Sequence, residues 1–307
     1  MSDRVIPFTG NPLDREALRR RDPEWLGSLR QAESSRYLPF ASLSVLLKQG
    51  QDGEPRELAW AKAEMFDGHD LPDPVFMGTR DGVAHFAVDV SAVDEPAKAF
   101  GVEDLASFED IRATVGVMSV EDAAMACHGR AYVDWHARHG FCAVCGAKTR
   151  VMLGGAHRQC TECSAEHFPR TDPVGIAAVV KGDQCLLGRG PGWPSNMFSA
   201  LAGFMEPGES LEEVVRREVF EEAGIRVGAV RYVASQPWTF PSSLMIGCLA
   251  EALTTEIAID RAEIEEARWF TREQIAKGLE GDTSEIMVPP PMAIAHHLLR
   301  HWIEEGD

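Results

Sequence analysis

The chain has 307 residues, is 45% hydrophobic and 25% charged, and carries 48 acidic against 30 basic side chains, a formal charge of −18. That length allows about two domains with ordinary hydrophobic cores. The acidity disfavours broad nucleic-acid or anionic-membrane binding, which runs on Lys and Arg patches, and no apolar run approaches the ~20 residues of a membrane span.

The opening MSDRVIPFTG lacks the apolar stretch of a secretory signal. Seven cysteines, an odd number with four in two CxxC pairs, argue against a disulfide framework and for a reducing cytoplasm. Through the first 120 residues or so, short apolar runs alternate with turns. ASLSVLLKQ has strand-like alternation and runs into the turn-rich GQDGEPR. PVFMGTRDGVAHFAVDV reads as strand, Asp-Gly turn, strand. A helix follows in SVEDAAMACHGRAYVDWHARHG, with Ser119 and Asp122 as a capping pair and Gly140 as its stop. A β-rich domain over 1–137, ending in that helix, is expected.

Residues 138–170 hold CAVCG and CTEC. Cys142, Cys145, Cys160 and Cys163 form two C-x2-C pairs with fourteen residues between them, just below the ~15–20 of comparable zinc sites. Four thiolates around one tetrahedral Zn²⁺ leave no open position, so the expected zinc is structural. Gly146 allows the tight bend that points backbone N–H groups at a thiolate. Lys148, Arg150, Arg158 and Arg170 keep a nucleic-acid-binding ribbon open as an alternative. Cys127, Cys185 and Cys248 sit among apolar neighbours and read as core.

From residue 171, PVGIAAVV and QCLLGRG are buried-strand runs. Then comes GFMEPGESLEEVVRREVFEEAG, Gly203 to Gly224. Pro207-Gly208 make a turn, Ser210-x-x-Glu213 is a capping box and Gly224 a C-terminal stop, which predicts a helix from Leu211 to Ala223. At about 100° per residue, Val214, Val215 and Val219 lie on the side of Leu211, and Glu218 and Glu222 fall about 20° to either side of it. Glu221 borders this stripe. Phe220 falls about 180° away and must find cover elsewhere. Two carboxylates inside an apolar stripe cost several kcal/mol unless a cation or protons compensate, and Mg²⁺ or Mn²⁺ suits hard oxygen donors. Arg217, on another face, can reach back to Glu209. Glu212 and Glu213 suit the helix N-terminus. A proline-led helix, VPPPMAIAHHLLRHWIEEG, ends the chain.

Gly203, Glu209, Arg217, Glu218, Val219, Glu221, Glu222, Gly224 and Ile225 satisfy every fixed position of the Nudix box. SQPWTFPSS, Ser235 to Ser243, resembles the signature of the NADH pyrophosphatase branch of that superfamily, which also carries a four-cysteine zinc ribbon just before its Nudix domain. NPLDR near the start is similar to the same branch. The resemblance implies an α+β chain: a β-rich N-terminal domain, a small zinc ribbon, and a C-terminal Nudix α/β/α sandwich over 171–307. It implies Mg²⁺- or Mn²⁺-dependent cleavage of NAD(H) to NMN(H) and AMP, and a homodimer. Glu218, Glu222 and Glu263, with the carbonyl of Ala202, would hold the metal, and Glu218, Glu221, Glu222 and Glu263 would be the catalytic acids. Which one takes the proton stays open.

Substrate contacts are expected from Gln236, Pro237, Trp238, Thr239, Phe240, Pro241, Ser242 and Ser243, and by resemblance from Phe168, Phe204 and Ala295. Thr239 stands where the signature has proline, which is expected to loosen the loop slightly. Phe168 stands where relatives often have tyrosine. The same resemblance implies removal of an NAD cap from RNA 5′ ends by identical chemistry. A preference for ADP-ribose or dinucleoside polyphosphates, and a non-catalytic nucleotide sensor, are further alternatives; intact Glu218, Glu221 and Glu222 speak against a sensor.

Overall fold

The computed structural model describes residues 5–50 and 54–306. The turn expected in GQDGEPR falls partly on 51–53, outside the described residues. Two compact units form. One contains Phe8–Arg170 and Thr239–Ser242; the other contains Thr171–Trp238 and the chain from Ser243 onward.

In the first unit, helix α1 (Pro23–Gln31) begins at Asp22, whose carboxylate accepts from the Glu24 and Trp25 amides. Strands β1 (Arg36–Ala41), β2 (Ser44–Lys48), β3 (Val75–Arg80), β4 (Val83–Asp89) and β5 (Ala106–Glu109) form a sheet in the order β3-β4-β1-β2-β5. The β1–β4 pair is parallel and the rest antiparallel. The Asp-Gly hairpin stands where its sequence places it, with Asp81 at φ 52° and Gly82 at φ 78°. The stretch expected as one strand, ASLSVLLKQ, instead turns at Ser42 and Leu43, both at positive φ. No glycine, asparagine or aspartate marks that turn.

Two short helical turns, α2 (Pro96–Ala99) and α3 (Ile111–Thr114), precede α4 (Val120–Arg138), whose N-cap is Ser119 accepting from the Asp122 amide. Gly129 lets α4 approach the sheet: a Cβ there would stand 2.8 Å from the Phe40 ring. Asn11 of NPLDR ties the entering chain to α4 by donating to the Ala124 carbonyl at 3.2 Å. A three-stranded ribbon, β6 (Thr149–Met152), β7 (His157–Cys160) and β8 (Glu166–His167), completes this unit.

The second unit is built on β9 (Asp172–Lys181), which pairs antiparallel with β10 (Gln184–Arg189) and β11 (Leu201–Phe204). Helix α5 (Leu211–Ala223) follows, then β12 (Val227–Trp238), β13 (Ser243–Ala252), β14 (Glu266–Thr271), α6 (Arg272–Leu279) and α7 (Ile294–Glu305). The strand order is β12-β13-β9-β10-β14 with β11 branching from β9, and β13 runs parallel to β9. Alternation along β9 divides its side chains between two cores. Ala177 and Val179 pack with Val215, Val219 and Ala223 of α5. Ile176 and Ala178 pack with Ile275 of α6 and Leu298, Leu299 and Trp302 of α7. The sheet is therefore sandwiched between α5 on one face and α6 and α7 on the other. Among the described residues, no helix is long and apolar enough to cross a membrane.

Candidate active site

Helix α5 spans the predicted residues, and its ends are built by the predicted devices. Ser210 and Glu213 form the reciprocal capping box, and Gly224 closes the helix at φ 71°. Val214, Val215, Val219 and Ala223 are buried, as the helical projection requires. Glu222 lies among them with 9% exposure.

Gly203 explains its place in the sequence by what it admits. A Cβ at that position of β11 would stand 1.8 Å from the Glu218 carboxyl carbon. Glycine therefore lets the Glu218 side chain lie directly over the strand. Glu263 arrives from a different part of the chain. The Ala258 amide donates to the Ala223 carbonyl at 2.9 Å and the Asp260 amide to the Glu222 carbonyl at 3.2 Å. These bonds fasten the 258–264 segment to the last turn of α5, and buried Ile264 anchors it in the core beneath. Carboxylate oxygens of Glu218, Glu222 and Glu263 consequently all lie within 4.8 Å of one another.

Burial pushes the Glu222 carboxyl up to about 8, and the charges of Glu218 and Glu263 add to this. A backbone hydrogen bond from Ala202 acts in the opposite direction. Burial also raises Glu218, against the pull of Arg217. Among the described residues, Glu222 Oε2 is the one buried side-chain oxygen with no hydrogen-bond partner. A buried carboxylate with one orphaned oxygen, clustered with two more carboxylates, is the environment a hard divalent cation fits.

Arg217 holds the surroundings in place. It donates to Glu209 at 2.6 and 2.9 Å, to Glu218 at 2.8 Å, to Glu221 at 2.9 Å and to the Phe204 carbonyl at 2.9 Å. Glu209 is held down at about 2 by this guanidinium. The bridge from Arg217 to Glu209 is the one the sequence suggests. Glu221 is exposed and paired with Arg217, so it stands apart from the three converging acids.

Phe220 departs from expectation. It finds no cover and remains 51% exposed.

The expected substrate residues divide between the two units. In the second unit, Gln236 is fully buried and its amide is spent inside the protein. It accepts from the Ile294 amide at 2.9 Å and donates to the carbonyls of Met292 at 2.9 Å and Pro7 at 3.3 Å. Pro237 pairs with Leu244 and Trp238 with Ser243 at the end of the β12–β13 ladder. Ala202 pairs with Ile176 in the sheet. Phe204 is 60% exposed. Ala295 is buried in the first turn of α7.

In the first unit, Thr239 is buried with Oγ1 3.2 Å from Cys127 Sγ, and its carbonyl accepts from Arg130. Thr239 is therefore fastened rather than loosened. The Phe240 ring lies under the guanidinium groups of Arg112 and Arg130, at 5.2 and 4.6 Å, contacts that no local sequence signal announces. Pro241 is exposed and Ser242 half-buried. Phe168 is 64% exposed, its ring 5.5 Å from that of His157.

The four ribbon cysteines also converge, with Cys142 and Cys163 sulfurs 3.7 Å apart and those of Cys145 and Cys160 3.4 Å apart. Backbone amides point at the sulfurs, Val144 at Cys142 (3.3 Å) and Glu162 and Cys163 at Cys160 (both 3.4 Å). The Cys163 amide holds the Cys160 thiol down at about 6. Four converging sulfurs, two of them met by backbone amides, fit zinc. His167 Nε2 lies 3.3 Å from Cys142 Sγ, a contact the cysteine spacing alone does not reveal. Cys127, Cys185 and Cys248 are buried, as expected.

Three family models match in chain order: an NADH pyrophosphatase-like rudimentary NUDIX domain over 34–135, an NADH pyrophosphatase zinc ribbon domain over 137–168, and a NUDIX domain over 169–288. The NAD-capped RNA hydrolase NUDT12 of Homo sapiens is 36% identical over 336 aligned residues, covering 96% of this chain and 73% of that protein. The mitochondrial NAD(P)H pyrophosphatase NUDT13 of Homo sapiens is 38% identical over 211 residues, 65% of this chain and 60% of that one. The NAD-capped RNA hydrolase NudC of Mycobacterium bovis is 37% identical over 240 residues, 75% of each chain.

Proposed function

The chain belongs to the Nudix hydrolases, in the branch that carries the NADH pyrophosphatase zinc ribbon, and on that premise we propose that it hydrolyses the diphosphate bond of NAD(H), giving NMN(H) and AMP. The observation that carries this reading is the buried Glu222 carboxylate, its Oε2 unpartnered, clustered with Glu218 and Glu263. Glu218, Glu222 and Glu263, with the Ala202 carbonyl, would hold Mg²⁺ or Mn²⁺. Such a cation supplies charge neutralisation for a diphosphate and a bound water of lowered pKa.

Arg217 fixes the Glu218 carboxylate and the Phe204 backbone in one network, so the acid enters the reaction already oriented. Glu221 and Glu209 hold Arg217 and act through it. Glu263 is exposed, which suits it to take the proton from the attacking water at its carboxylate and pass it to solvent.

Gln236 positions rather than contacts substrate. By accepting from the Ile294 amide it sets the first turn of α7, where the backbone of buried Ala295 would meet a phosphate oxygen. The exposed Phe204 ring offers a stacking face for a base.

A second reading, removal of the NAD cap from RNA, is supported by the similarity to NUDT12 across 96% of the chain. It uses the same bond and the same residues. Cytoplasmic location, on the free thiols, and a homodimer, on the family resemblance, complete the proposal.

The test is product analysis with Mg²⁺ or Mn²⁺ and, in turn, NADH, NAD⁺, ADP-ribose and NAD-capped RNA. Release of AMP and NMNH from NADH is expected. No AMP from NADH, with turnover of ADP-ribose alone, would overturn the primary reading.

A further inference from the structure

Phe220 lies on the side of α5 opposite Glu218 and Glu222. It borders an open groove of about 630 Å³ lined also by Arg216, Arg226, Val227 and Leu253. That volume lies within the range of small-ligand sites. Phe220 and Leu253 are 51% and 57% exposed, so the floor offers apolar area to solvent.

The charges of the groove can be accounted for one by one. Glu209 and Arg217 neutralise each other through two hydrogen bonds at 2.6 and 2.9 Å. Glu213 keeps its charge while capping the helix, accepting from the Ser210 amide at 2.7 Å, and it interacts electrostatically with Arg216. Against that one remaining anion stand two cations, Arg216 and Arg226. Arg216 donates twice to the Gly228 carbonyl, at 3.1 and 2.9 Å, which fixes its plane without cancelling its charge. The Arg226 guanidinium lies 5.9 Å from the Phe220 ring centroid. Among the described residues neither has a carboxylate at salt-bridge distance. In a chain of net charge −18, two guanidinium groups facing one lining carboxylate, beside one exposed aromatic ring, leave a local excess of positive charge.

We propose that this groove binds a nucleoside phosphate, with the base stacked on Phe220 and the phosphate held by Arg216 and Arg226. Stacking accepts any base because every base has a π face. Guanidinium groups pair with phosphate oxygens through two parallel N–H donors. The ligand could be a free mononucleotide or one unit of a single strand, since both present the same ring and the same anion. The groove meets Glu209 and Arg217 at its rim but none of the three converging acids, and the proposed ligand contacts, Phe220, Arg216 and Arg226, lie outside the hydrolytic machinery, so their failure would leave the hydrolase reading untouched.

A Phe220→Trp variant places a reporter in the groove, and its emission minus that of the wild type isolates this position from the native tryptophans. AMP is expected to quench the added emission saturably. Adenosine and inorganic phosphate should each bind about tenfold more weakly than AMP, and Arg226→Ala in the same background should weaken AMP about tenfold. Hydrolysis of the catalytic substrate by Phe220→Ala should stay at the wild-type rate. A 5′-phosphorylated oligoadenylate that binds more tightly than AMP identifies a strand as the source, and equal binding identifies the free nucleotide. Flat titrations, adenosine matching AMP, or indifference to Arg226→Ala would overturn the proposal. A flat titration in which Phe220→Ala also lowers the mass of the assembly would overturn it in favour of a second copy of the chain.

Discussion

Helices α4 and α5 each pack against the sheet of their own unit, and each buries an acid. On α4 the acid is Asp134, 6% exposed, and Arg138 one turn later donates to it at 2.7 Å. On α5 it is Glu222, 9% exposed, and its Oε2 has no partner. About one to three turns before Asp134 the helix buries Ala123, Ala124, Ala126, Cys127 and Gly129, small residues that bring it close to the sheet. Around Glu222 the neighbouring groups are more carboxylates. A domain described as a rudimentary Nudix and a full one thus solve the same packing problem differently. One satisfies its buried charge within the protein; the other leaves it to be satisfied from outside, which is what a metal-dependent site requires.

Isosteric amides test that contrast most strongly. Glu222→Gln should lower kcat/KM by about 10²–10⁴-fold, since several kcal/mol of transition-state stabilisation depend on the cation it helps to hold. Its urea midpoint without added divalent metal should not fall, because a carboxylate without a partner has been removed. Asp134→Asn should leave kcat/KM unchanged and cost about 1 kcal/mol of stability, the worth of a charge-assisted bond with an exposed partner. Full activity in Glu222→Gln would refute the metal-site assignment.

The difference between the two helices is only half legible in the sequence. The α5 face is legible because its ends carry clear caps and its period is regular, and the helical projection alone places Glu218 and Glu222 on the inward stripe. Glu263 was located only by resemblance, since hydrogen bonds from Ala258 and Asp260 to the end of α5 are tertiary and leave no local pattern. The internal partners of Gln236, Met292 and Ile294, leave no local pattern because they lie more than fifty residues along the chain. Phe220 was expected to be covered because a lone aromatic on a polar face usually is, and burial on that side depends on a neighbour the period cannot supply. The Ser42–Leu43 turn was invisible because neither residue favours positive φ.

The two units should also respond to pH with opposite signs. Glu222 has a folded value of about 8 against 4.5 when free. The folded protein binds that proton more tightly, so the stability it contributes is full below 4.5 and is lost as pH rises toward 8. The size is on the order of a few kcal/mol without divalent metal, and saturating Mg²⁺ should reverse it. His136 on α4, half-buried against the Gly155 carbonyl, has a folded value of about 4 against 6.5, lowered by desolvation. The unfolded chain takes up that proton first, so its contribution is full above 6.5 and is lost as pH falls toward 4. Amide-exchange protection, corrected for intrinsic rates, should rise with pH in the α4 unit and fall with pH in the metal-free α5 unit. Slopes of the same sign in both units would contradict these environments.

Two glycines sharpen the comparison at the smallest scale. An added Cβ at Gly203 would collide with the Glu218 carboxyl, the free end of a flexible side chain. The carboxylate can swing aside, so Gly203→Ala should fold nearly as well as the wild type while losing about 10–100-fold in metal affinity or rate. An added Cβ at Gly129 would collide with the Phe40 ring, which is fully buried and has nowhere to go. Overpacking of that kind costs about 1–3 kcal/mol, and the better helix propensity of alanine returns about 1 kcal/mol of it. Gly129→Ala should therefore lower the melting temperature by a few degrees and leave the rate per folded molecule unchanged. Thermal melts and initial rates on the same two preparations separate the cases. A rate loss in Gly129→Ala at full folding would mean that α4 takes part in the chemistry after all, and the contrast between a satisfied helix and an unsatisfied one would fail.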